Sequence, residues 1–434
     1  MGRSAAGRRL SVVATDQAVS AASSLLVTLI AAQLLDVASF GLFGLIFICF
    51  VAAQGVIRAW VGEPTLLHHD DALAGPGPML SAAVALAAFV GVVLALAGAA
   101  TWAWHAEVGL SLLILGALMP GLTLQDYGRF LGFARHEPER ALALDLLRVL
   151  LLVIGAAWVW WADAGLVPLV LVWSGSGAVA GLLTLVHHRT HLAVPSVRWL
   201  RSTWTFSWRY MLSFAATQGS ALATTIAIAG IAGAADLGAV RGVLLLTGLF
   251  TMVQAAFMAA GVAEVAAAPD DRELVRRQAR RGTVLMGVIA AANGAVLLAL
   301  PDGVGELILG DTWAGARTLF WPAALHLVAL GMITGVRSAL MGRRAIRVTM
   351  VIDVVSTTAM LAAVIVGVSV NGALGAWWAL ACLQVVVAVV WWLVYLAHMR
   401  RFAPAPPLEA VPDDLTEARP DRGEPAMTSS MGDH

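Results

Sequence analysis

Apolar stretches long enough to cross a lipid bilayer follow one another along nearly the whole of this chain, and arginine occupies every second gap between them. The chain has no lysine, so its 27 basic residues are all arginine. They gather at Arg3, Arg8 and Arg9, then at Arg129, Arg135 and Arg140, then at Arg189, Arg198, Arg201 and Arg209. Further groups are Arg272, Arg276, Arg277, Arg280 and Arg281, then Arg343, Arg344 and Arg347, then Arg400 and Arg401. The other gaps, around Asp36, His105, Asp163, Ala234, Pro301 and Asn371, carry essentially none. Positive charge stays on the cytoplasmic side because translocating it is unfavourable. The arginine-bearing gaps are therefore expected in the cytoplasm, with both termini there and an even number of spans.

Composition agrees. Hydrophobic residues make up 60% and charged residues only 12%, against about a quarter charged in a globular domain. A helical span needs roughly 20 apolar residues. The pattern predicts an all-α, polytopic membrane protein of twelve spans, at about 12–35, 39–60, 79–102, 108–131, 139–161, 165–187, 208–232, 236–262, 282–301, 313–340, 346–368 and 372–398. The expected organisation is a cytoplasmic N-terminus at 1–11, a six-helix bundle at 12–190, a cytoplasmic linker at 191–207 and a second six-helix bundle at 208–401. The tail at 402–434, rich in proline and acids, is expected to be disordered in the cytoplasm. Cys49 and Cys382 fall inside spans 2 and 12, so a disulfide is not expected. Arginine without lysine, with abundant Ala and Gly, points to a G+C-rich bacterial genome.

The halves resemble each other. Residues 17–43 align without gaps to 218–244, placing Gly41 on Gly242. More specific is a spacing: Arg129 and Asp145 lie sixteen positions apart across the turn between spans 4 and 5, as do Arg337 and Asp353 between spans 10 and 11. Six spans return the chain to its starting side, so the copies run parallel about an axis along the membrane normal. That arrangement places a cavity between two bundles.

The loops exclude several chemistries. The arginine-poor gaps are short and their acids are scattered, which disfavours a membrane-embedded glycan polymerase or ligase. The tract His68, His69, Asp70 and Asp71, and the pair His187 and His188, lack metal-site helix spacing and read as solvated loops. No metal, cofactor or nucleic-acid partner is expected, and no phosphate-cradling G-x-x-x-x-G-K sequence is present.

Ionisable residues inside spans are costly and so are functional candidates. Asp126 with Arg129, and Asp145 with Arg148, each share a helix face at i, i+3. Together they are expected to form a neutral cluster clamping spans 4 and 5, with Arg337 and Asp353 as the matching clamp of the second half. Arg58, about one turn from the inner end of span 2, reads as a snorkelling anchor or an anion contact. Arg241 lies near the arginine-poor end of span 8 with no well-placed acid, and an arginine fork binds phosphate bidentately. Asp16 reads as a helix cap or, with Asp353, as an ion-coupling site.

The segments "TDQAVSAASSLLVTLIAAQLLDVASFGLFGLIF", "RAWVGEP", "LQDYGRFLGFARHEPERALALD", "GAADLGAVRGVLLL" and "LPDGVGELILGDTWAGA" resemble bacterial polysaccharide exporters. These form the oligosaccharide flippase (Wzx-like) branch of the multidrug/oligosaccharidyl-lipid/polysaccharide (MOP) superfamily. The resemblance implies a V-shaped pair of bundles moving a polyprenyl-pyrophosphate-linked glycan between leaflets of the bacterial cytoplasmic membrane. Glycan polymerases or glycosyltransferases would then be partners, and Arg58 and Arg241 would be the substrate-binding cations. A drug/cation antiporter of the same superfamily is the alternative.

Overall fold

The computed structural model describes residues 23–62, 77–135, 137–187, 221–343 and 345–402, with scattered single positions between 192 and 219. Asp16, Glu63, the 68–71 tract, His188, most of the 191–207 linker and the tail beyond Phe402 lie outside the described residues. Within them the fold is all-helical, as lipid demands, because only a helix or a closed barrel satisfies every backbone polar group internally.

The first six helices are α1 (Ser23–Leu34), α2 (Val37–Ile57), α3 (Gly77–Trp102), α4 (Ala106–Ala134), α5 (Pro138–Ala162) and α6 (Leu166–His187). Helix α2 continues into a π-helical turn at Arg58–Gly62. The second half holds α7 (Ala221–Ile231), α8 (Ala234–Ala267), α9 (Arg272–Ala299), the short α10 (Asp302–Leu309) and α11 (Trp313–Thr318), α12 (Phe320–Gly342) and α13 (Ile346–Arg400). Nine of the described helices, counting α13 once, are long and apolar enough to cross a membrane.

Local chemistry sets the breaks. The Asp36 carboxylate caps α2 by accepting from the amides of Ala38 and Ser39 at 2.9 and 3.0 Å, and the Ser39 bond holds its pKa below the usual carboxylate range. Helix α13 is two antiparallel limbs joined at Asn371 and Gly372, where Gly372 has φ +52°, a conformation that glycine adopts readily. The second limb is capped from another helix: Asp236 Oδ2 accepts from the Ala373 amide at 2.8 Å. The expected span at 313–340 instead begins at Phe320, because α10 and α11 fold into a separate corner. There Asp302 accepts from Trp313 Nε1 at 2.8 Å and pairs with Arg317.

The bundles approach most closely where α2 crosses α8. A Cβ on Gly41 would strike the Ala234 carbonyl oxygen, and a Cβ on Gly238 would strike that of Val37. The contact is reciprocal, so the pseudo-twofold axis passes between Gly41 and Gly238. These lie 197 positions apart (238 minus 41), as do Gly44 and Arg241 (241 minus 44). The ungapped register that set Gly41 on Gly242 is therefore wrong by four residues, about one helical turn. Alanine-rich helices match at any turn, and only the glycine crossing fixes the register. Close approach through small residues is how helices associate in lipid.

Other contacts close the same end. Gln33 Nε2 donates to the Leu307 carbonyl at 2.7 Å, and the main apolar cluster links Phe40, Phe43 and Trp173 to Leu237, Val243 and Trp313. Further along α8, Gly248 faces open space, and Thr251, Met252, Val253, Ala255 and Ala256 are exposed. Among the described residues, the contacts between the bundles thus gather at the arginine-poor end, and α8 is exposed further towards the arginine-rich end.

Candidate functional site

Two features lie between and beside the bundles. The first surrounds Arg241, which stands seven residues into α8, about 10 Å from its start. It lines a cavity of about 210 Å³ together with Ser24, Thr28, Phe40, Phe43, Phe47, Leu244 and Met252, drawn from α1, α2 and α8. Arg241 Nη2 donates across the seam to the Gly44 carbonyl at 2.7 Å and reaches Thr225 Oγ1 at 3.5 Å. Gly44 is required here, because a Cβ would collide with the arginine's Nε, Cδ and Cγ. The Nε is buried without a hydrogen-bond partner, and no carboxylate pairs with Arg241 among the described residues.

The second feature is a charge network within the first bundle. Arg58 grips Asp126 with both Nε and Nη2 at 2.6 Å, while Gln54 Nε2 donates to the same carboxylate at 2.9 Å. Arg129 lies 3.7 Å from Asp126 and 3.3 Å from Asp145. Gln125 Nε2 donates to Asp145 at 2.6 Å, and its oxygen accepts from Arg148 at 3.3 Å. The expected neutral set of four charges is corrected: Arg58 joins through α2, giving three guanidiniums and two carboxylates, with Gln125 bridging Asp145 to Arg148 and Gln54 bonded to Asp126. The i, i+3 spacing could not reveal this, because the α2–α4 contact is tertiary. Asp126 and Arg129 are buried, whereas the Arg58 side chain remains 46% exposed. Arg58 is thus both a network member and a surface group.

Arg337 and Asp353 pair at 2.9 Å, each 37% exposed, with Trp391 beneath the guanidinium at 5.9 Å. Sequence reasoning passed over Gln54, Gln125 and Gly44, all uncharged, and over His326. That histidine packs edge-on to Trp377 at 6.0 Å, and its Nδ1 is buried without a hydrogen-bond partner among the described residues. A polar residue at a buried helical position was the available signal for each side chain. For Gly44 there was none.

Gly44 touches Arg241, and Arg58 follows it by fourteen residues on α2. The two cationic sites are therefore about 21 Å apart along the helix. One small anion cannot touch both at once.

No family model matches the sequence, and no curated protein matches it. Solved structures share the fold. An inward-facing MATE multidrug transporter of the MOP superfamily has a TM-score of 0.71 at 14% identity, covering 88% of this chain and 94% of its own. An outward-facing MATE of that superfamily has 0.57 at 15% identity, with coverage of 92% and 96%. The lipid II flippase MurJ, inward closed, has 0.64 at 7% identity, with coverage of 89% and 87%. The fold is that of MOP-superfamily transporters.

Proposed function

We propose that this chain is a flippase that carries a lipid-linked oligosaccharide, or a related cell-envelope glycan precursor, from the inner to the outer leaflet by alternating access, without covalent chemistry. The observation that supports it is Arg241. A permanently charged group lines the cavity between the bundles with no carboxylate beside it among the described residues. Such a cation is stabilised when an anion replaces its lost water, and a pyrophosphate crossing the membrane needs the same replacement. The arginine-rich end would face the cytoplasm. Arg58, half-exposed near that end, would receive the anion first, and Arg241 would hold it later.

In a strain lacking the gene, Arg241→Ala should accumulate as inserted protein but fail to restore envelope glycan export, and Arg58→Ala should fail as well while also stripping the buried Asp126 of its bidentate partner. Arg241→Lys should restore it partly, because a point charge does not reproduce the fork. Export at the wild-type rate by Arg241→Ala would sink this reading. The apolar wall of Phe40, Phe43, Phe47, Leu244 and Met252 favours a second one, export of amphiphilic organic molecules as a drug transporter would perform. Dye efflux that survives Arg241→Ala would support it.

A further inference from the structure

We propose that Arg241 latches the bundles shut at the arginine-poor end, and that an anion entering the cavity releases the latch. The inference rests on the anion-carrying function above and adds the link between occupancy and opening. Arg58 shows what this guanidinium edge does when filled: Nε and Nη2 grip the two oxygens of Asp126 at 2.6 Å each. The same edge of Arg241 is half used. Its Nη2 holds the Gly44 carbonyl at 2.7 Å, while its Nε is buried against α2 at Gly44 with no hydrogen-bond partner among the described residues.

A group with two adjacent anionic oxygens would complete that edge. It would displace the carbonyl, because charge-assisted bonds are roughly twice as strong as those to neutral acceptors. Gly44 O already lies within α2, where it serves as a helical backbone acceptor, so losing Arg241 does not orphan it. The exchange removes a bond that stitches α8 to α2 and leaves the Gly41–Gly238 packing and the Gln33–Leu307 bond to hold the seam. A ligand shifts a conformational equilibrium only through differential affinity. Here the difference is the second bond, which is available only when Gly44 is released.

The test places a single cysteine at the seam, Val37→Cys, in full-length protein carrying Cys49→Ala and Cys382→Ala. Val37 borders a second cavity, of about 420 Å³, together with Asp236 and Asn371. Labelling by an impermeant maleimide is timed in lipid nanodiscs with and without inorganic pyrophosphate, whose binding is measured by calorimetry on the same samples. With Arg241 intact, pyrophosphate should speed labelling about tenfold, the population change produced by ~1.4 kcal/mol of differential binding. Arg241→Ala should label fast with or without pyrophosphate. Gly44→Ala, whose new Cβ evicts the arginine, should label fast without it. If pyrophosphate binds but leaves the labelling rate unchanged, or if Arg241→Ala labels as slowly as the parent, the latch is wrong and the anion-carrying reading survives. If pyrophosphate does not bind, the anion trigger falls together with that reading.

Discussion

Arg129 and Arg337 hold matching positions in the two halves, yet their surroundings differ. Arg129 and Asp145 are almost fully covered at 8% and 3% exposure, while Arg337 and Asp353 are each 37% exposed. Breaking a buried pair strands a charge and costs about 3–5 kcal/mol, whereas a half-exposed pair contributes about 0–1 kcal/mol. Asp145→Asn should therefore lower the thermal unfolding midpoint in detergent strongly, and Asp353→Asn hardly at all. Equal losses would mean that exposure does not decide the strength of these pairs. Reversing the first pair (Arg129→Asp with Asp145→Arg) should recover only part of the loss, because Arg129 also faces Asp126 and Asp145 also holds Gln125. The sixteen-residue spacing made both pairings legible in the sequence. It carried nothing about burial, or about Arg58 reaching Asp126 from another helix, since those depend on how distant segments pack.

Helix ends were less legible than helices. The periodicity of α11 and α12 reads as one span, because Trp313 and Phe320 are as apolar as any membrane residue. What divides them is polar and local: Asp302 tied to Trp313 and Arg317. The bond from the Trp313 indole, then that from Arg317, lowers the Asp302 pKa from its ordinary value of 3.8. A depressed carboxylate contributes stability above its unfolded pKa and loses it as pH falls through the folded value. The difference fluorescence between the parent and Trp313→Phe should therefore stay constant from neutral pH to about 5 and change only below about 4. In Asp302→Asn that acid change should vanish; its persistence would place the titrating group elsewhere. The break in α13 has a similar origin, since Asn371 and Gly372 mark a turn in the sequence while the Asp236 cap that fixes it comes from α8. Sequence shows where a chain can bend, and a partner 137 residues away secures the bend.

Across the molecule, alternation of arginine predicts which end faces the cytoplasm, and the glycine crossing shows which end is shut. These observations are independent: one rests on the energetics of charge translocation, the other on backbones that touch only where no Cβ intervenes. The number of helices followed from hydropathy, and their two-bundle grouping from the resemblance between the halves. The repeat register did not, because four residues of slip preserve most apolar matches and the contact between Gly41 and Gly238 is what distinguishes them. Combined, the two features make a prediction that neither makes alone: a cytoplasm-facing cleft closed at the outer surface. Single cysteines at Ala162 and Asn371, exposed at the arginine-poor end, should react with an impermeant maleimide in right-side-out vesicles, while Arg277→Cys should react only in inverted ones. Thr251→Cys, exposed on α8 further towards the arginine-rich end, should behave like Arg277→Cys although it lies within a membrane helix. Labelling of Thr251→Cys from outside, with Ala162→Cys also labelled from outside, would leave the orientation standing and show the cleft opening the other way. Labelling of Arg277→Cys from outside would invert the whole arrangement.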